Sequence, residues 1–168
     1  MGSNTAMRAR IGLISHRTML YPALTAAENV EFAARLYGAS DGRRAAEKVL
    51  DGLGVEAPDI PVRLLSRGMQ QRVSIARAIV NTPALLLADE PYTGLDDSGA
   101  QALTSVLRSL KGEGTALVLV THQLNEGLGI ADFFAVMIDG AFAQYQSSSE
   151  VDRSLYASQY RDMVSSHA

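Results

Sequence analysis

The sequence predicts an α/β fold built on a mostly parallel sheet, with a small all-helical lobe toward the amino-terminal end. Three observations predict it. Short apolar runs at Leu85–Ala88 and Thr115–Val120 alternate with helical patterns over Gly68–Val80 and Asp96–Leu110, and such alternation implies crossover connections between parallel strands. The run Leu85–Ala88 ends in two adjacent carboxylates, Asp89 and Glu90, and in open α/β sheets ligands gather at the carboxyl ends of strands. Residues 23–65 carry helical spacing and no strand signal.

Each element has its own local reason. Ile11–Ser15 is a short strand followed by the loop His16–Pro22. Thr25 and Glu28 stand three apart, as a capping box requires, and Val30, Ala33, Ala34 and Tyr37 follow at helical spacing up to a stop at Gly38. Ser40 is the expected cap of a second helix, whose buried face is Ala45, Ala46, Val49, Leu50 and Leu53. Two prolines mark Val55–Arg63 as a loop. Leu85–Ala88 and Thr115–Val120 read as fully buried strands, and Asn125–Ile130 as a short helix. Asp139-Gly140 between Phe133–Ile138 and Phe142–Gln146 is a two-residue hairpin signal. Ser149 and Asp152 start a polar terminal helix.

Composition narrows the class without naming a function. A chain of 168 residues that is 47% hydrophobic and 20% charged suits one soluble domain with its own core. The absence of cysteine excludes disulfides, thiolate metal sites and cysteine nucleophiles. A net charge of -3 argues against nucleic acid as a partner. The longest apolar runs, such as Phe133–Ile138, are far short of the roughly 20 residues a bilayer span needs. Met1–Arg10 lacks the apolar core of a signal peptide.

Three short segments carry chemistry, each with a plainer alternative. Asp89 and Glu90 suit a Mg²⁺ ligand followed by a carboxylate that polarises water; a buried strand ending in an acidic turn looks the same. Ser66 and Gly68, in Leu65-Ser66-Arg67-Gly68-Met69-Gln70-Gln71-Arg72, suit a helix start that binds a phosphate through free backbone N–H groups; an ordinary helix cap also reads this way. His122 ends Val118-Leu119-Val120-Thr121-His122 and suits a hydrogen bond to a phosphate oxygen; the alternative is an exposed histidine at a strand end.

Taken together and in this order, the segments resemble the ATP-binding cassette (ABC) ATPase family. Leu65–Arg72 resembles its signature motif, Leu85–Glu90 its Walker B strand with the catalytic glutamate, Tyr92–Asp96 its D-loop, and His122 its switch histidine. Ile11–Thr25 resembles the segment around its Q-loop, with His16 where the family usually has glutamine. His16 retains the ability to bond a water or a metal, and a surface-loop histidine is the alternative. His16 with the following Leu24–Asn29 looks like the haem-exporter type from cytochrome c biogenesis. The signature reads Ser-Arg-Gly-Met rather than Ser-Gly-Gly-Gln, with Ser66 and Gly68 kept.

The resemblance implies a P-loop NTPase (RecA-like) parallel core with a helical subdomain. On that reading residues 1–10 are a tail or truncated end, 11–22 a core strand and Q-loop region, 23–65 the helical subdomain, 66–147 the ATPase core and 148–168 a terminal helix and tail. It implies ATP and Mg²⁺, with Glu90 and His122 catalytic. Ser66, Gly68, Met69, Gln70, Asp96 and His16 would contact nucleotide, and Asp89 and His16 the metal. The implied partners are a transmembrane permease subunit and a second ATP-binding subunit, identical or not, with no nucleic acid. The implied place is cytoplasmic, on the inner face of the membrane. Two alternatives stand beside the transport ATPase. One is a non-catalytic truncated subunit that only binds and dimerises. The other is a soluble ABC ATPase of DNA repair or translation, disfavoured by the compact span from His16 to Ser66.

No Gly-x-x-x-x-Gly-Lys-Ser/Thr occurs in these 168 residues. That loop supplies the backbone N–H groups and the lysine that grip phosphates. A strand, the loop and its helix need about 30 residues, and only ten precede Ile11, so the expectation is that the loop lies upstream of Met1. By the resemblance its strand runs beside the one ending at His122, so its removal leaves an unpaired, apolar edge. Ser66 and Gly68 would serve a partner's nucleotide, and Asp89, Glu90, His122 and His16 the chain's own P-loop side. The isolated chain is therefore expected to show no saturable ATP binding in the micromolar range by calorimetry.

Overall fold

The computed structural model describes residues 7–152 together with 155, 156, 158 and 160. Contacts divide the chain into two units, Met1–His122 and Gln123–Ala168. In the first, strands β1 (Ile11–Ile14), β2 (Leu85–Asp89) and β3 (Ala116–Val120) form a parallel sheet in the order β1-β2-β3. Ile14 pairs with Ala88 and Ala88 with Leu119, so the three strands run in step, and Asp89 stands opposite Val120. The carbonyl of Arg10 accepts from the amides of Ala84 and Leu85, at 2.8 and 3.1 Å. Inside the expected tail, residues 7–10 already make a turn, the Arg10 amide donating to the Met7 carbonyl at 3.0 Å; Met1–Ala6 lie outside the described residues.

Three helices pack on one another, and the last of them lies against β1. α1 (Ala26–Leu36) starts at the expected capping box: Thr25 Oγ1 accepts from the Glu28 amide at 3.1 Å, and Glu28 Oε2 accepts from the Thr25 amide at 2.8 Å. Such a cap is worth about 1 kcal/mol. α2 (Gly42–Gly52) is capped by Asp41 and not by Ser40, Asp41 Oδ1 accepting from the Arg44 amide at 3.1 Å. Gly42 lies so close to α1 that an added Cβ would stand 3.2 Å from the Glu31 carbonyl oxygen. That approach places the first helical residue at Gly42 and the cap one position before it. The Val55–Arg63 loop contains the start of a 3₁₀ turn, Val62–Leu64, and an isolated bridge from Pro61 back to Thr25.

α3 (Arg67–Ile79) starts one residue earlier than the sequence suggests, because Ser66 takes the cap position. It is the packing hub of the unit and lies against α1, α2 and β1. Val73, Ile75 and Ala76 are fully buried along it. Gly12 of β1 is required here: a Cβ would fall 2.5 Å from the Ala78 carbonyl oxygen of α3. α4 (Asp97–Gly112) buries Leu103, Leu107 and Leu110 and is capped by Asp96. Asn29, buried inside α1, holds the loop before it. Its Oδ1 accepts from the Tyr21 amide at 2.7 Å, and its Nδ2 donates to the carbonyls of Tyr21, Leu24 and Thr25.

The sheet differs from expectation on one face. Gly12, Ile14, Leu86 and Ala88 are buried, but their neighbours in the strands face outward. Leu13 is 46% exposed, Val118 51% and Val120 58%, so neither β2 nor β3 is the fully buried strand that its apolar run predicts. Side chains alternate between the two faces of a sheet. β3 also has no strand on its far side among the described residues.

In the second unit, α5 (Leu124–Leu128) precedes a hairpin of β4 (Phe133–Ile138) and β5 (Ala141–Ser147). Asp139 and Gly140 take φ of 50° and 78°, the left-handed pair that a type I′ turn needs. The ladder shifts between Val136 and Met137, a bulge in an otherwise regular register. Most of the terminal helix expected after Ser149 and Asp152 lies outside the described residues.

An unpaired strand edge beside exposed apolar residues templates association between chains. Val118→Lys places a charge there without touching the core, and is expected to lower the self-association of the chain seen by light scattering while leaving its melting temperature unchanged.

Candidate functional site

Because β2 and β3 are parallel and in step, their carboxyl ends emerge side by side. The Glu90 amide donates to the Val120 carbonyl at 2.8 Å, extending the ladder one residue past β2. Glu90 then turns into the left-handed region, φ 48°, a conformation that costs a non-glycine residue about 1–3 kcal/mol. That turn brings its carboxylate to the end of β3. Oε1 accepts from the His122 backbone amide at 2.9 Å and lies 2.8 Å from His122 Nδ1; the Thr121 hydroxyl donates to Oε2 at 3.2 Å. Nδ1–H donation fixes the imidazole ring and leaves Nε2 free of the carboxylate, on a side chain that is 71% exposed. Asp89, the last residue of β2, is exposed beside this cluster in the chain. Thr121 has no signal of its own in the sequence beyond preceding His122.

A second group forms at the start of α3. Ser66 Oγ accepts from the Met69 amide at 3.2 Å, leaving the amides of Arg67 and Gly68 without partners inside the helix. The hydroxyl of Ser66 is thus already engaged as a cap. Gly68 has a structural demand as well: a Cβ would stand 2.9 Å from the carbonyl oxygen of Gly94. Gln70 turns inward, its Nε2 donating to the carbonyls of Val62 and Leu65 at 3.1 and 3.0 Å. Asp96 caps α4, its Oδ1 accepting from the Gly99 amide at 2.8 Å, and the same oxygen pairs with Arg72.

The residues picked from the sequence therefore fall into two groups: Asp89, Glu90 and His122 at the strand ends, and Ser66, Gly68, Met69, Gln70 and Asp96 around the start of α3. His16 is exposed on the loop after β1, and no hydrogen bond joins it to either group. Arg72 and Gln71 fall inside the signature-like segment and Asn29 inside Leu24–Asn29, but no local pattern assigns their side chains a role; all three are buried. No three His, Cys, Asp or Glu side chains gather to hold a metal among the described residues. Asp89 fits a Mg²⁺ that keeps most of its waters, since such an ion needs only one or two carboxylates from the protein.

This parallel sheet, with two carboxylates at one strand end and a histidine at the next, has the P-loop NTPase fold. Residues 2–93 match the family model described as ABC transporter, and the chain belongs to that family. It is 38% identical over 150 residues to a methionine import ATP-binding protein of Corynebacterium diphtheriae, covering 86% of this chain and 44% of that protein. A Nod factor export ATP-binding protein of Ralstonia nicotianae is 35% identical over 136 residues, covering 79% of this chain and 42% of the relative. Among solved structures, a dimeric post-hydrolysis state of the ATP-binding cassette MJ0796 bound to ADP and Pi superimposes with a TM-score of 0.74 at 30% identity. That match covers 86% of this chain and 66% of the other. The chain thus spans less than half the length of the two curated relatives.

The Gly99 amide first, and the Arg72 guanidinium second, hold the Asp96 carboxyl below its ordinary value of 3.8. A lowered carboxyl contributes stability that is present above the ordinary value and lost as pH falls through the lowered one. Wild type is therefore expected to melt above Asp96→Asn near neutral pH, with the gap closing below 3.8, as followed by thermal melts across a pH series.

Proposed function

We propose that this chain belongs to the ATP-binding subunit of an ABC transporter, and that this subunit hydrolyses ATP to drive a separate membrane subunit. The observation that carries the proposal is the Glu90 carboxylate at the end of β2, held by His122 and Thr121 from the end of β3. A carboxylate that must align water needs a fixed direction, and three donors from the neighbouring strand supply it. Oε1 holds both His122 donors, so Oε2, with its longer contact to Thr121, is the oxygen that can exchange a protein donor for water. Protonated on both ring nitrogens, His122 donates from Nδ1 to Glu90 and from Nε2 to a phosphate oxygen.

Asp89 would hold Mg²⁺, with His16 as a further ligand or water contact, and the metal would neutralise charge on the phosphates. Ser66, Gly68 and Met69 offer the positive end of α3 to the nucleotide of a second subunit. The phosphate-gripping Gly-Lys-Ser/Thr loop is not among these 168 residues, and hydrolysis requires it from elsewhere in the assembled protein. The exposed residues Phe32 and Leu36 on the helical lobe belong to the surface proposed to meet the permease, on the cytoplasmic face of the membrane. The matched relatives are named for methionine import and for Nod factor export, and what they share with this chain is the ATP-binding part rather than a cargo. His16 with Leu24–Asn29 supports the haem-exporter type. No helix among the described residues is long and apolar enough to cross a membrane.

In the complete subunit assembled with its permease, Glu90→Gln is expected to reduce turnover by about a hundredfold or more while nucleotide binding persists. Steady-state phosphate release together with nucleotide titration checks this; unchanged turnover rejects Glu90 as the base.

A further inference from the structure

Among the described residues Arg72 is the one buried side chain that carries a charge. It stands in the second turn of α3. Its Nη1 donates to the carbonyls of Leu53 and Gly54, at 3.2 and 3.3 Å, and its Nη2 donates to Asp96 Oδ1. Two glycines shape the slot it occupies. Gly54 has φ +64°, and a Cβ there would lie 2.8 Å from Nη1; a Cβ on Gly99 would lie 3.0 Å from both Nε and Nη2. The guanidinium therefore joins three places distant in sequence: the end of α2, the body of α3 and the cap of α4.

The segment between Glu90 and Asp96 is anchored on α4 by the buried Tyr92, whose hydroxyl lies 3.1 Å from Thr104 Oγ1, and it has few backbone bonds of its own. Its internal backbone bonds are Thr93 amide to Glu90 carbonyl and Leu95 amide to Tyr92 carbonyl, both 3.1 Å. α3 grips it from outside at three points. Gly68 packs against the Gly94 carbonyl, Gln71 Nε2 donates to the Pro91 carbonyl at 3.2 Å, and Arg72 holds Asp96. The Asp96 side chain is 72% exposed, so the pair adds little Coulomb stability through solvent. What it adds is direction, because the guanidinium presents its donors in a rigid planar fork.

We propose that Arg72, with Gln71 beside it, is a positioning residue for Glu90. It clamps the 91–96 turn to α3, so that Ser66 at the start of α3 and Glu90 at the start of the turn keep a fixed spacing. Each is proposed to serve a different nucleotide of the paired subunits, and the clamp makes the two contacts move as one body. This inference rests on the hydrolytic reading above.

Two measurements test it. The first is hydrogen exchange by mass spectrometry on the full 168-residue chain, comparing wild type, Arg72→Met and Arg72→Lys. Exchange over residues 91–100 is expected to rise about tenfold in Arg72→Met, and less in Arg72→Lys, which keeps a donor for Asp96 but loses the fork. Peptides from β1 and β2 are expected to stay as protected as in wild type. Unchanged exchange over 91–100, or an equal rise throughout the chain in Arg72→Lys, overturns the proposal. The second measurement is ATP turnover by the complete subunit with its permease. Arg72→Met is expected to lower kcat about tenfold with KM for ATP nearly constant, and Arg72→Lys to recover part of the loss. A wild-type rate with both variants overturns the clamp. A wild-type assembly that does not turn over counts against the hydrolytic reading instead, and the exchange measurement then decides the clamp alone.

Discussion

The parallel, in-step register of β1, β2 and β3 is the constraint from which the site follows. With Ala88 opposite Leu119 and Asp89 opposite Val120, the first residues past each strand emerge together. Glu90 then reaches Thr121 and His122 without any long excursion of the chain. A one-residue slip would move every side chain of a strand to the opposite face, putting Leu86 and Ala88 outward and breaking the Glu90–His122 contact at once. The left-handed backbone of Glu90 is tolerated because both sides of it are tied: its amide to Val120 and its carbonyl to Thr93.

α3 is the second organising element, and it works through close approach more than through bulk. Gly12 lets β1 meet its backbone, its own Gly68 meets the Gly94 carbonyl, and Gly54 and Gly99 make room for Arg72. Close approach of this kind leaves no room for a side chain between the elements, so helix, strand and turn are set by backbone shape. The polar groups buried in this packing are all satisfied: Gln71, Arg72, Ser74 and Asn29 reach carbonyls of neighbouring segments. Ser74 Oγ donates to the Thr18 carbonyl at 2.9 Å, tying α3 to the loop that carries His16.

The open face of the sheet fits the same picture. Leu13, Val118 and Val120 have the composition of core residues and the exposure of surface residues, and β3 offers an unpaired edge. Apolar area of this kind is worth about 25 cal/mol per Å² once removed from water. It is therefore a strong driving force for whatever packs on it. The helical lobe, by contrast, closes its own core with Val30, Ala34, Ala46, Leu50 and Leu53 and needs no further partner to bury them.

The sequence by itself determined the local features. The capping box at Thr25 and Glu28, the Asp139-Gly140 hairpin turn, and the strand that ends in Asp89 and Glu90 all depend on residues a few positions apart, and all are present. The order of Ser66, Glu90, Asp96 and His122 was enough to indicate the family. Tertiary structure decided whatever depends on what lies across a gap in space. Asp41 and not Ser40 caps α2 because Gly42 must touch α1. Only alternate residues of β2 are buried, and those of β3 are half-buried at most, because side chains alternate between the two faces of a sheet. Gly68 answers to the carbonyl of Gly94, 26 residues away in sequence. Arg72 joins Leu53, Gly54 and Asp96, and no short-range pattern announces such a meeting, since each partner satisfies ordinary local rules and only the packed chain brings them within hydrogen-bond reach.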